Sequence, residues 1–432
     1  MPYFVGEKLS PPKLRFSASS VSQWDYSPRR GLQNYGPYDA MTFGKDRINC
    51  LVVYPATLQS TKQIVVSGLQ NGNGSFAGFQ KLFRLPFTVC SERSISAEIP
   101  EQIDTNLRLW VRDTNPDIVL LLTSTQNPSF YTSAKSILIG LGVPSQFATQ
   151  EKLRNSSQLP WMLENIALQM YAKVGGTPWT VLSPQKQKSL VVGISRAEDK
   201  QKQRVVGFVT LFSSDGDYLF FSSIAPQSVY WKDRSAYQEA LAGVIAKAYN
   251  EYANLNGNPD EIVIHLCKKP GKFREFFAAE QAMKKLGANI PYAILHLNGY
   301  SSYRLFDSAH SSYVPQSGIK VVLSETETLL FLDGRKRDFR TSEEVRNRKG
   351  VPRLFEIHFD PRSTISPSEF PRLVRQVFDF AGVNWRGFNA QSVPATLNYS
   401  ALIAKLIAEI GVENWRQHVA QLGLLADKAW FL

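Results

Sequence analysis

The chain has 432 residues, 43% of them hydrophobic and 20% charged, enough for two or three compact units that each bury a core. No uninterrupted apolar stretch reaches the roughly 18–20 residues of a membrane-spanning helix, and Met1-Pro2-Tyr3-Phe4-Val5-Gly6-Glu7-Lys8 lacks the apolar core of a signal peptide. The +12 formal charge favours a polyanionic partner, and three scattered cysteines (Cys50, Cys90, Cys267) without a CxxC pair fit a reducing, cytoplasmic setting and no zinc site.

Residues 1–45, rich in Ser, Pro, Arg and Tyr, read as an extended arm on a larger body. From residue 46 apolar strands alternate with helical segments. Asn49–Tyr54 and Ile118–Leu122 read as buried parallel strands, with Phe76–Phe83 as a helical crossover between them. That alternation predicts an open α/β sheet, whose ligands bind at strand carboxyl ends and helix N-termini. Just after the second strand, Tyr131 and Lys135 stand four residues apart, on one face of a helix. Asn165, Gln169 and Lys173 repeat that spacing on a second helix, and Gln146 falls in a predicted Gly142–Gln146 turn. Two ammonium groups, a phenol and three amides can converge on a monophosphate.

The break Gly175-Gly176-Thr177-Pro178 marks a boundary near residue 180. Beyond it, Ser189–Ile194, Arg204–Phe212 and Tyr218–Phe221 predict an antiparallel meander. A helix from Tyr237 to about Leu255, a strand Glu261–His265 and a helix Phe273–Leu286 then complete the RNase H order. Between Gly334 and Arg353 eight basic residues, Arg335, Arg337 and Lys349 among them, outnumber three acidic ones, a composition suited to nucleic-acid backbone contact without base reading.

These segments, in this order, resemble short prokaryotic Argonautes of the Argonaute/Piwi family over nearly the whole chain. Supporting stretches are Gly31-Leu32-Gln33-Asn34-Tyr35-Gly36-Pro37-Tyr38-Asp39, Asn398-Tyr399-Ser400 and the ending Trp430-Phe431-Leu432. The resemblance implies an N-terminal arm (1–45), a Rossmann-like MID domain (46–180) and an RNase H-like PIWI domain (181–432). It implies guide 5′-phosphate binding by Tyr131, Lys135, Gln146 and Lys173 with Asn165 beside them. It also implies a Mg²⁺ ion bridging guide phosphates, held by Gln169 and the Leu432 carboxylate, with the tail inserted between MID and PIWI. The implied partners are a guide RNA (DNA remaining possible), a complementary DNA target and an APAZ-containing effector protein; a homodimer is a further reading.

An RNase H-type nuclease needs several carboxylates around two divalent ions. Where the family carries them, this chain has Ser195 after the first PIWI strand, Cys267 after His265, and Asn398 before the C-terminal helix. The expected protein therefore binds without cutting. The alternative is a metal-dependent guide-directed endonuclease that uses Glu198, Asp199 or Glu239 as substitute ligands. His265 and Cys267 lack a third orienting group for nucleophilic chemistry, so Lys268 and Lys269 read as backbone-binding cations. His296, His310 and His358 are too widely spaced in sequence to predict a metal cluster.

Overall fold

The computed structural model describes residues 6–182, 187–198, 204–223, 229–230, 234–267, 275–287, 290–308, 313–333, 354–411, 415 and 424–432. The chain forms two compact units. One comprises Arg15–Thr180, Trp385–Phe388 and Leu406–Leu432; the other comprises Met1–Leu14, Val181–Asn384 and Asn389–Lys405.

The first unit is built on a parallel four-stranded sheet of β1 (Ile48–Pro55), β2 (Phe87–Ile95), β3 (Ile118–Thr123) and β4 (Ser145–Thr149), in the order β2-β1-β3-β4. Every residue of β3 is buried, which is why it reads as a continuous apolar run rather than an alternating one. The connecting helices are α1 (Gln59–Asn71), α2 (Pro100–Thr114) and α3 (Pro128–Gly140), and α4 (Leu159–Lys173) follows β4. Leu51, Val53, Leu107, Val119, Leu121, Phe130 and Leu138 form a core between sheet and helices. The strand order reverses between β1 and β3, and in such sheets the crevice at the carboxyl ends there receives ligands.

Two local expectations change. The crossover is not Phe76–Phe83: α1, β2 and α2 occupy the path between β1 and β3, and only Phe79–Phe83 is helical. Gly72 stops α1 at φ +93°, where a Cβ would lie 2.5 Å from the Phe76 carbonyl oxygen. Gln146 sits on β4, not in a turn, because it pairs in parallel with Leu120 of β3. The N-terminal region also contains a helix, Pro28–Tyr35, which Ser27 caps by accepting from the Arg30 amide.

The second unit contains a ten-stranded mixed sheet. The meander β5 (Ser189–Glu198), β6 (Arg204–Ser213) and β7 (Tyr218–Ser223) is antiparallel. After α5 (Arg234–Asn256), strand β8 (Glu261–Cys267) pairs in parallel with β5; after α6 (Glu275–Leu286), β9 (Tyr292–Asn298) pairs in parallel with β8. Strands β10 (Ile319–Ser324), β11 (Glu327–Phe331) and β12 (Leu354–Phe359) extend the sheet antiparallel from β9, and Gly6–Lys8 closes the β10 edge. Helices α7 (Phe370–Phe380) and α8 (Ala395–Ile410) follow. Leu190, Val192, Leu241, Ile245, Ile262, Ile264 and Ala279 pack the sheet against α5 and α6. Meander, helix, strand, helix is the order read from the sequence, and β9 follows it. No described helix is long and apolar enough to cross a membrane.

Candidate functional site

Helix α3 starts at the Asn127 cap, whose side chain accepts from the Phe130 amide, and Pro128 presets its first turn. It places Lys135 one turn beyond Tyr131. The Lys135 side chain is 2% exposed; Nζ donates to the Trp430 carbonyl at 2.8 Å and reaches the Ser145 carbonyl at 3.5 Å. Lys173, in the last turn of α4, is equally buried; its Nζ donates to the Ser145 carbonyl at 2.9 Å and to Gln146 Oε1 at 2.8 Å. The two ammonium groups therefore meet over one carbonyl oxygen. Among the described residues neither has a carboxylate partner.

Burial alone pulls the Lys135 ammonium down to about 7. Lys173 is pushed well below its ordinary value, first by burial and then by the charges of Lys135 and Arg386. The Tyr131 phenol is shifted up by burial and by Glu409, with Arg386 opposing, and its ring packs 4.7 Å from that of Phe147. Gln146 Nε2 donates to the Phe147 carbonyl at 3.0 Å, which leaves its Oε1 toward Lys173. Gln169 Nε2 donates to the Arg386 carbonyl at 2.9 Å, and a Cβ on Gly387 would lie 3.2 Å from Asn165 Oδ1. Ala429, Trp430, Phe431 and Leu432 are all buried.

Lys135, Gln146 and Lys173 thus form one cluster with the Ser145 and Trp430 carbonyls. Arg386 is the cation that sequence reasoning missed. It sits in Asn384-Trp385-Arg386-Gly387, far along the chain from α3 and α4, and no spacing ties it to them. Its one sequence signal is an arginine beside a glycine that permits close backbone approach.

Around Ser195, His265 and the start of α8, neutral groups form a hydrogen-bonded network. The buried Ser195 donates from Oγ to the Leu397 carbonyl at 3.3 Å, and Thr210 Oγ1 donates to the Thr396 carbonyl at 2.7 Å. His265 Nδ1 lies 2.9 Å from Thr396 Oγ1, and burial holds its imidazole down to about 3, so it is neutral. Gly193 makes room for α8: a Cβ there would stand 2.3 Å from the Thr396 carbonyl oxygen. Cys267 is exposed while His265 is buried. Asn398 lies within α8, not before it, and its Nδ2 is buried without a hydrogen-bond partner among the described residues. Glu239 is exposed on α5. Among the described residues no group of three His, Cys, Asp or Glu is placed to hold a metal ion.

The proposed backbone contacts Lys268, Lys269, Arg335, Arg337 and Lys349 lie outside the described residues, as do Asp199, His310 and the side chain of Glu198. His296 and His358, distant in sequence, are direct cross-strand neighbours, engaged with Asp360 at 2.6 Å and with Glu327 at 2.8 Å respectively.

The Piwi domain family matches residues 117–411. An argonaute protein of Cereibacter sphaeroides is 26% identical over 93% of this chain and 56% of its own length. A Piwi protein of Archaeoglobus fulgidus is 26% identical over 88% of both chains. The crystal structure of Drosophila Piwi superposes with a TM-score of 0.75 at 17% identity, covering 99% of this chain and 56% of that one. The chain therefore spans little more than half the length of some of the relatives it matches. The α/β architecture is the RNase H-like PIWI fold. With the domain match extending over more than half its residues, the chain belongs to the Piwi-domain family of Argonaute and Piwi proteins.

Proposed function

We propose that this protein binds a guide strand by its 5′-phosphate, pairs that guide with a target, and does not itself cut the target. Family membership supports guide-dependent nucleic-acid binding in general. The observation that carries the pocket is the pair of buried ammonium groups, Lys135 and Lys173, whose hydrogen-bond partners are all neutral oxygens. A buried cation is costly unless an anion offsets it. A phosphate dianion accepts from both, with Gln146 and Tyr131 as further partners and Asn165 on the adjoining helix face.

A Mg²⁺ ion shared between guide phosphates belongs to the same reading. Gln169 and the Leu432 carboxylate offer the oxygen donors a hard cation takes. The Gln169 nitrogen is engaged by the Arg386 carbonyl, which reserves the amide oxygen for a cation. Gln169 and the Leu432 carboxylate would hold the ion, which would neutralise part of the phosphate charge of the guide.

In this reading residues 46–180 are the 5′-end-binding domain, residues 1–45 an arm, and residues 181–432 an RNase H-like domain with Ser195, Cys267 and Asn398 in place of metal-binding acids. Neutral hydrogen-bonded groups at Ser195, Thr210 and His265 support the absence of cutting. The guide is an RNA and the target a complementary DNA; an APAZ-containing effector protein converts recognition into a response against invading DNA. Sequencing the nucleic acid that co-purifies from cells tests the reading. Short 5′-phosphorylated RNAs are the expected finding, and short DNAs would revise the guide type. Incubating the guide-loaded protein with complementary target and Mg²⁺ or Mn²⁺ tests the rest: target cleavage within the duplex would refute the non-cutting assignment.

A further inference from the structure

After β9 the chain runs through residues 299–308 and 313–318, which belong to no helix or strand. Two of these residues anchor the loop from within. Val314 is buried in a cluster with Val321 of β10, Leu329 and Phe331 of β11 and Leu354 of β12, and Leu305 packs against that cluster. Their neighbours are turned outward: Tyr303, Phe306 and Tyr313 are 47%, 60% and 56% exposed. Local hydrogen bonds fix the loop. The Tyr303 amide donates to Oγ of the buried Ser301 at 3.1 Å, and the Asp307 amide donates to the Tyr313 carbonyl at 3.0 Å, which brings the backbone of Phe306 beside that of Tyr313. Tyr313 holds its place at φ +54°, a left-handed conformation that a bulky side chain rarely adopts.

Charge singles out the kind of ligand this surface fits. Arg304, between Tyr303 and Phe306, is exposed; its Nη1 donates to the Ser301 and Tyr303 carbonyls at 2.9 and 2.8 Å, and among the described residues it has no carboxylate partner. Nor does any of the three rings stack on another ring or on a cation among the described residues. Phe331 ends β11 and Leu354 begins β12, so the chain departs for residues 334–353, eight of them basic and three acidic, and returns at the cluster that anchors the aromatic loop. Exposed rings interleaved with an uncompensated guanidinium match single-stranded nucleic acid, in which every base offers a π-face and every phosphate an anion. An apolar protein surface would satisfy the rings but not the surplus of positive charge.

We propose that Tyr303, Phe306 and Tyr313, with Arg304, form a sequence-tolerant contact surface for unpaired nucleotides, built from residues other than Lys135 and Lys173 and independent of a 5′-phosphate. The loop leaves the carboxyl end of β9, which runs parallel to β8, and α/β sheets receive their ligands at that end. Unpaired nucleotides have two sources, the 3′ part of a guide and the flanks of a target, and both present the same bases and phosphates.

The test titrates the full chain with a labelled 5′-hydroxyl oligothymidylate of about 20 nucleotides, longer than a typical single-strand site, and with an abasic strand of equal length and charge. Wild type is expected to bind the base-bearing strand at least about tenfold tighter. Tyr303→Ala with Phe306→Ala should remove about tenfold of that preference while leaving the abasic strand's affinity and the melting temperature unchanged. Tyr303→Phe with Phe306→Tyr, which keeps both rings, should retain the preference, and Arg304→Gln should weaken both strands alike with a shallower salt dependence. Shortening a guide at its 3′ end, or trimming the flanks of a target, then shows which strand carries the ring-dependent part. A preference unchanged in the double alanine variant, or lost equally in the variant that keeps the rings, overturns the proposal. So does a dimer in sedimentation that the alanine variant splits without any change in oligothymidylate affinity, since the loop is then a contact between copies. A protein that lacks 5′-phosphate preference yet keeps the ring-dependent preference refutes the phosphate pocket and leaves this surface standing.

Discussion

The ammonium groups of Lys135 and Lys173 share the Ser145 carbonyl oxygen, at 3.5 and 2.9 Å. Two like charges on one neutral acceptor, both enclosed, oppose folding unless an anion joins them. The arrangement places the cost in the ligand-free protein and the relief in the complex. Lys173→Met should therefore raise the melting temperature of the ligand-free protein while abolishing its stabilisation by a 5′-phosphorylated oligonucleotide. Thermal melts with and without that oligonucleotide check both halves; a lower ligand-free melting temperature would contradict the account.

Loss of both cations has a measurable specificity consequence. Each charge-assisted hydrogen bond contributes roughly 1.5–3 kcal/mol. Lys135→Ala with Lys173→Ala should then reduce the affinity for a 5′-phosphorylated guide by at least about a hundredfold, bringing it to that of the 5′-hydroxyl guide. Anisotropy titrations of the two guides decide it; a preference that survives the double change means the phosphate binds elsewhere.

The same lysines make binding depend on pH. Lys135 is held at about 7 against an ordinary 10.5. Between these values the unfolded chain carries a proton that the folded chain lacks, so this group adds stability to the ligand-free protein as pH rises from about 7 to about 10.5. A bound phosphate draws the ammonium form back, and binding takes up protons in that window. Affinity for a 5′-phosphorylated guide should fall above pH 7, by about tenfold per pH unit for one proton taken up, whereas a 5′-hydroxyl guide shows no such slope. Calorimetry in buffers of different ionisation enthalpy counts the protons, and a count of zero near pH 8 would dismiss the mechanism.

Restoring a single acid to the RNase H centre should not restore chemistry. Ser195 is buried and faces the Leu397 carbonyl, so Ser195→Asp sets a carboxylate against a carbonyl oxygen. The expected cost is roughly 2–4 kcal/mol, read by urea unfolding, with no gain of target cleavage in Mg²⁺. Recovery of stability on adding Mg²⁺ would show instead that the centre can still gather a metal ion.

The ion pair that Arg29, lying over the Trp161 ring, makes with the buried Glu164 is also testable. Glu164→Gln removes the charge that fixes the guanidinium, and the cost should be about 2–3 kcal/mol, below that of a fully buried pair because Arg29 retains some exposure. Arg29→Met keeps packing against Trp161 while removing the charge Glu164 faces. A double-mutant cycle with both changes should show positive coupling; additive losses would mean the two act separately.

Much of this was legible from residue order. Local periodicity put Tyr131 with Lys135 and Asn165 with Gln169 and Lys173, because a helix brings residues four apart to one face whatever surrounds it. The apolar runs gave β1 and β3, and the turn residues gave the meander of β5, β6 and β7, since strand patterns and turn chemistry are likewise set by neighbours in the chain. Gln146 escaped, because its strand is defined by pairing with β3 and not by its own pattern. The acceptors that hold the lysines are backbone carbonyls of Ser145 and Trp430, and every residue has a carbonyl, so no sequence signal distinguishes these two. Arg386, the Arg29–Trp161 stack and the opposed His296 and His358 join residues far apart along the chain. Sequence determined which side chains were available and which local faces they shared. The tertiary structure alone decided which charges were buried together without a counter-charge, because burial and pairing are properties of contacts between distant segments.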